Sequence, residues 1–167
     1  MHTKEVMGAP VVEDYLDALL SGPAPDVLRI GLAVPSSGVI GLTGPAGLAA
    51  AILAAEEVNA AELLGRREVR LVPIDAGRSP DHVAAEVSTL VAAGALDAVC
   101  GYHTSDVHRG IERVTTGRVP YLFTPPHEGG RRLPGVALLG ESPREQLAPV
   151  MARLGTRSLR RWALIGN

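Results

Sequence analysis

The stretch Leu28-Arg-Ile-Gly-Leu-Ala-Val34-Pro-Ser-Ser-Gly38, continuing through Val39-Ile-Gly-Leu-Thr-Gly-Pro-Ala-Gly47, sets the fold. Residues 28–34 are almost continuously apolar, interrupted only by Arg29 and Gly31, which reads as a strand buried on both faces. A loop rich in glycine and hydroxyls follows. Gly44 and Pro45 then open a helix with Leu48, Ile52, Ala55 and Val58 on one face and Glu56, Glu57 and Glu62 elsewhere, closed by Gly65.

The same alternation runs outward from there. Residues 69–74 read as a second strand, and Ser79-Pro80-Asp81 opens a helix carrying Val83, Val87, Leu90 and Val91, closed by Gly94. Residues 96–100 form a third strand, and Thr104 or Ser105 caps a helix with Val107, Ile111 and Val114. Strands at 119–123 and 136–139 flank a Pro/Gly-rich loop. Ser142-Pro-Arg-Glu145 is a capping box opening a helix to Gly155, where Pro149 predicts a kink or a late start, and residues 161–165 begin one more strand. Upstream, residues 11–20 carry apolar side chains at helical spacing and end at Ser21-Gly22-Pro23, a short helix and linker that can dock on the body or on a second subunit. The fold class is α/β, a Rossmann-like parallel sheet covered by helices on both faces.

Composition supports a folded domain and narrows its chemistry. The 167 residues are 46% hydrophobic and 20% charged, but only 3% aromatic, so the core is aliphatic. Sixteen Lys and Arg against 18 Asp and Glu leave a net charge of -2, without the basic field that direct nucleic-acid binding needs. The small cluster Arg157, Arg160 and Arg161 reads as solvated surface. Cys100 is the single cysteine, which excludes an intramolecular disulfide and any multi-cysteine metal site and is compatible with a reducing compartment. No run is long and apolar enough for membrane insertion. Lys4, Glu5, Glu13, Asp14 and Asp17 break any export-signal pattern near Met1, so the expected location is cytoplasmic; a signal further upstream would make it periplasmic or lipid-anchored.

Parallel sheets of this kind bind ligands beyond the carboxyl ends of their strands. That directs attention to Ser36, Ser37 and Gly38 after the first strand, to Tyr102, His103, Thr104 and Ser105 after the third, and to Thr124, Pro125, His127 and Glu128 after the fourth. Gly38, Gly41, Gly44 and Gly47 recur every three residues, which is neither a dinucleotide fingerprint nor a phosphate loop. Any one hydroxyl here can be a plain helix cap or loop residue. Their recurrence along one edge, beside Tyr102, Tyr121 and Phe123, favours a polar ligand. His103, His108, His127 and Glu128 could be read as a metal set, but their spacing gives no shared helix face. No nucleophile elbow or linked triad accompanies Ser105 or Cys100, so no catalytic residue, metal or cofactor is assigned.

Taken in order, these segments resemble the type 1 periplasmic-binding-protein fold, the Leu/Ile/Val-binding-protein-like family. Residues 30–38, Leu53-Ala-Ala-Glu-Glu-Val-Asn-Ala60, Leu64-Gly-Arg66, and Asp75 with Ser79-Pro-Asp81 carry the resemblance. Gly101-Tyr-His-Thr-Ser105, Thr124-Pro-Pro-His-Glu-Gly129, Gly140-Glu-Ser-Pro143 and Leu147-Ala-Pro149 are most similar to the branch of the amide-sensing regulator of amidase operons and of urea and short-chain amide solute-binding proteins. His103 and His127 stand where that branch tends to have tyrosine.

The resemblance implies that Thr104 and Ser105 offer hydroxyl and backbone hydrogen bonds to an amide, urea or aliphatic amino acid, with residues 124–128 lining the other side. It implies two lobes closing on the ligand. Residues 1–26 are then an N-terminal helix and linker, residues 27–140 the first lobe, and residues 141–167 only the start of the second, as in part of a longer protein that binds weakly alone. The expected function is non-catalytic binding as a cytoplasmic sensor or regulator with an antiterminator-type partner. The alternatives are a transporter's solute receptor, or an enzyme on a doubly wound sheet.

Overall fold

The computed structural model describes residues 10–155 together with Arg161 and Ala163. The strand that opens the fold is β1 (Val27–Val34), followed by α2 (Gly44–Ala60), β2 (Glu68–Asp75), α3 (Pro80–Ala92), β3 (Ala98–Gly101), α4 (Ser105–Thr115), β4 (Tyr121–Phe123), β5 (Val136–Leu138) and α5 (Pro143–Gly155), with α1 (Tyr15–Ser21) preceding them. Among the described residues the four strand pairings are all parallel, and the order is β2-β1-β3-β4-β5. The chain leaves β1 first to one side and then to the other, so the direction of winding reverses between β1 and β3. In doubly wound sheets the crevice at that reversal is where ligands sit.

Two apolar layers hold the sheet. On one face Val83, Val87 and Leu90 of α3 and Val107 and Ile111 of α4 pack with Val72, Ile74, Val99, Tyr121 and Phe123. On the other, α2 contributes Ala55 to a smaller cluster with Leu32, Val34, Val69 and Leu71. Two of the scarce aromatics are used centrally: among the described residues, Tyr121 and Phe123 are the largest fully buried side chains.

Several elements end where local chemistry dictates. Pro80 and Asp81 occupy the first turn of α3 behind Ser79. The Ser142 box closes in both directions, with the Ser142 N–H donating to Glu145 Oε2 at 2.7 Å and the Glu145 N–H to Ser142 Oγ at 3.3 Å. α5 runs through Pro149 without a late start, and none of its residues is buried. α2 stops at Ala60, before Gly65, which instead turns the chain with φ of 64°. The strand expected at residues 161–165 and the basic cluster at Arg157 and Arg160 lie outside the described residues, apart from Arg161 and Ala163.

The helix expected over residues 11–20 is corrected to the seven residues of α1. Asp14 caps it, accepting from the Leu16 N–H at 2.8 Å. Ahead of Asp14 the chain is extended and lies along the outer edge of β2: the Leu71 N–H donates to the Val11 carbonyl at 2.8 Å and the Glu13 N–H to the Leu71 carbonyl at 2.9 Å. Glu13 then takes both Nε and Nη2 of Arg29 at 2.8 Å. Arg29 is only 4% exposed and also donates to the Gly22 carbonyl, so the cation that interrupts the β1 pattern is buried and fully engaged. Ala18 is buried in the main core and Tyr15 and Leu19 pack against it, which docks α1 on the body.

Candidate functional site

The loops flanking the β1/β3 crevice are built from opposite chemistries. After β1, Ser36, Ser37 and Gly38 are exposed, yet their backbone is held by one carboxylate at the end of β2. Asp75 Oδ1 accepts from the N–H groups of Ser36, Ser37 and Gly77 at 2.8, 3.1 and 2.9 Å. Partial burial works against its charge, but the bonds from Ser37, Gly77 and Ser36 outweigh that and lower its pKa from 3.8 to about 2. The approach is so close that a Cβ on Gly77 would overlap the Ser37 carbonyl, and Gly38 turns with φ of 71°. Asp75 thus serves as the anchor of this rim.

After β3, burial alternates. Gly101 and His103 face inward while Tyr102 and Thr104 face solvent. The Tyr102 N–H donates to the Ala33 carbonyl at 3.0 Å, which continues the β1/β3 pairing and sets Tyr102, 44% exposed, at the crevice. Thr104 occupies the N-cap position of α4 without a side-chain capping bond, and its hydroxyl instead contributes to holding the Asp106 carboxyl below the usual range. The Ser105 hydroxyl makes no hydrogen bond with any described residue. Among the described residues no base is hydrogen-bonded to it.

His103 is buried and only 3% exposed. Its Nδ1 lies 3.2 Å from the Thr104 carbonyl and its Nε2 3.1 Å from the Tyr121 hydroxyl. Burial is the main cause that lowers its pKa from 6.5 to about 4, so the ring is neutral at pH 7. It supports the loop from beneath. His108 meets the same hydroxyl at 3.1 Å and stacks on Phe123 with centroids 4.3 Å apart. The two histidines therefore converge on a phenol, and no group of three or more metal-ligating side chains is found among the described residues.

The residues after β4 divide. Thr124 Oγ1 donates to the Gly101 carbonyl at 3.0 Å, tying the ends of β3 and β4, and Pro125 is buried against Gly140. His127 and Glu128 line a cavity of about 240 Å³ between α4 and the β4–β5 loop, as does Ser105. The predicted residues thus form two groups: a crevice rim of Ser36, Ser37, Gly38, Tyr102 and Thr104, and a lateral cavity holding His127 and Glu128, with Ser105 shared. Arg109 and Glu112, which line that cavity, were not singled out by sequence reasoning. Their signal is the spacing of Ser105, His108, Arg109 and Glu112, which puts all four on one side of α4.

A parallel sheet wound in this order, with polar loops on both sides of its reversal point, defines the doubly wound α/β class. The chain belongs to the periplasmic binding protein family, whose model matches residues 27–167. No curated protein matches it. Among solved structures it is similar to the branched-chain amino acid transporter substrate-binding protein LivJ of Streptococcus pneumoniae, solved in complex with isoleucine. That match has 26% identity and a TM-score of 0.53, over 58% of this chain and 28% of that one. A type 1 periplasmic binding protein of Bordetella pertussis matches with 17% identity and a TM-score of 0.58, over 70% of this chain and 34% of that one. A periplasmic binding protein of Burkholderia mallei matches with 21% identity and a TM-score of 0.51, over 60% and 27%. These last two carry the fold alone. The chain spans between 27% and 34% of the length of these three neighbours. Among the described residues, no helix is long and apolar enough to cross a membrane.

Proposed function

We propose that the chain supplies one face of a non-catalytic binding site for a small polar ligand, an amide, urea or aliphatic amino acid, held at the β1/β3 crevice. The observation that carries this reading is the unpartnered Ser105 hydroxyl at the start of α4, in the loop region that follows β3 and exposed Tyr102, while the loop after the neighbouring β1 presents the anchored Ser36–Ser37 backbone. Uncharged donors and acceptors at a helix N-terminus suit a carbonyl or carboxylate oxygen. Residues 27–140 act as the first lobe and residues 141–167 begin the second, whose closure would be read by a partner.

Two roles follow from this binding. The order of motifs favours an amide-sensing cytoplasmic regulator acting on an antiterminator-type partner. The likeness to LivJ favours the solute receptor of a transporter, which would sit outside the cytoplasm. Calorimetric titration with acetamide, urea and isoleucine tests the shared reading. Saturable binding of one of them, weakened about tenfold by Ser105→Ala, supports it; no heat with any of the three overturns it. Fractionation of cells then separates the roles, a cytosolic pool indicating the regulator and an exported pool the receptor.

A further inference from the structure

The lateral cavity has a charge imbalance that the fold itself does not use. Its acidic residues are both engaged: Glu128 Oε2 lies 3.3 Å from Arg109 Nη1, and Glu112 Oε1 accepts from the Leu133 N–H at 3.1 Å. Arg131 and Arg132, on the opposite wall, form no hydrogen bond or ion pair with any described residue, although the field of Arg132 reaches Glu145. The floor is apolar: Leu138 of β5 is half-buried there, with the buried Phe123 ring of β4 behind it. The His108 ring is fixed there by its stack on Phe123, with its Nδ1 committed to Tyr121, so the ring serves the cavity as a rigid wall.

We propose that this cavity binds a short aliphatic carboxylate, its hydrocarbon on Leu138 and beside the His108 ring, and its charge between the guanidinium groups of Arg131 and Arg132. Guanidinium forks match carboxylate oxygens in pairs. A monoanion is favoured over a phosphate dianion because Glu112 and Glu128 stand on the same walls, and an apolar floor rewards a hydrocarbon tail that phosphate lacks. The contacts proposed here do not use the loops that flank the crevice, although Ser105 lines both places.

Titration of the whole chain with butyrate, followed by the ring resonances of His108, tests this, with inorganic phosphate and the uncharged isostere butyramide as parallel arms. Saturation by butyrate in the millimolar range is expected, weakened about tenfold in Arg131→Ala/Arg132→Ala and strengthened in Glu128→Gln, which releases Arg109. Butyramide should leave His108 unmoved whether or not it binds at the crevice. A shift that never saturates, equal affinity in the double variant, or tighter binding of phosphate than of butyrate overturns the assignment.

Discussion

The hydroxyl of Tyr121 stands 3.1 Å from Nε2 of His103, with the two rings inclined by only 13°. The Thr104 carbonyl beside Nδ1 can only accept, so the neutral His103 ring carries its proton on Nδ1 and presents a bare acceptor at Nε2. The phenol must therefore donate to His103, and its oxygen is left to accept from the Nδ1–H of His108. Hydrogen bonds run in one direction from α4, through β4, to the loop that opens α4. Each tautomer in that chain is set by its neighbour.

Tyr121→Phe should break it at the centre, leaving the His103 acceptor and the His108 donor without their partner. The expected loss is about 1–3 kcal/mol in denaturant unfolding, because buried polar groups would be stranded while almost no volume is lost. A change within about 0.5 kcal/mol, the range of an ordinary surface substitution, would contradict the chain as described.

Acidification should expose His103 as a source of instability. Its folded pKa of about 4 lies below the ordinary 6.5, so between those values the unfolded chain binds the extra proton and stability falls as the pH falls. The loss begins near pH 6.5, accumulates towards pH 4 and then levels off for this group, amounting to a few kcal/mol in order of magnitude. Urea midpoints measured across that window should decline less steeply in His103→Gln.

Asp75 titrates at the other end of the scale. Its depressed pKa contributes stability that is present above 3.8 and is lost as the pH falls to about 2. In Asp75→Ala the N–H groups of Ser36, Ser37 and Gly77 lose their acceptor. Hydrogen exchange at these three amides should accelerate more than at residues of α3, and unchanged rates would show that the rim is held by something else.

The buried pair of Glu13 and Arg29 should be costly to break and cheap to replace. Glu13→Ala leaves an uncompensated guanidinium and is expected to destabilise by about 3–5 kcal/mol. Glu13→Leu combined with Arg29→Met should recover most of that loss. If the double variant is as unstable as Glu13→Ala, the damage lies in packing and not in charge, and a double-mutant cycle on thermal unfolding distinguishes the two.

Much of the architecture was legible because it is written locally. The Ser79-Pro-Asp start, the Ser142 box and the apolar run at residues 28–34 each carry their structural reason within a few residues, and the parallel sheet follows from their alternation. Residues 11–13 were misread because Val11 and Val12 fit a helix or a strand equally well. What decides between them is Leu71, distant in sequence, together with the Asp14 cap. At the candidate site, the hydroxyl-rich edge was visible but its inward and outward positions were not: the alternation of β3 persists past its end, turning Tyr102 out and His103 in. The lateral cavity was the least visible, since it exists only where the β4–β5 loop folds back on α4.

The extended segment at Val11 to Glu13 also bears on where the folding unit begins. Family likeness starts at residue 27, yet the outer edge of β2 is paired by the Val11 carbonyl and the Glu13 N–H, and Arg29 inside β1 is neutralised from Glu13. A protein trimmed to the family boundary would present a bare strand edge and an unpaired buried cation together, the first inviting other strands to add and the second loosening the sheet behind it. The recognisable unit and the stretch of chain that completes its first two strands are therefore different lengths, the second reaching back at least to Val11.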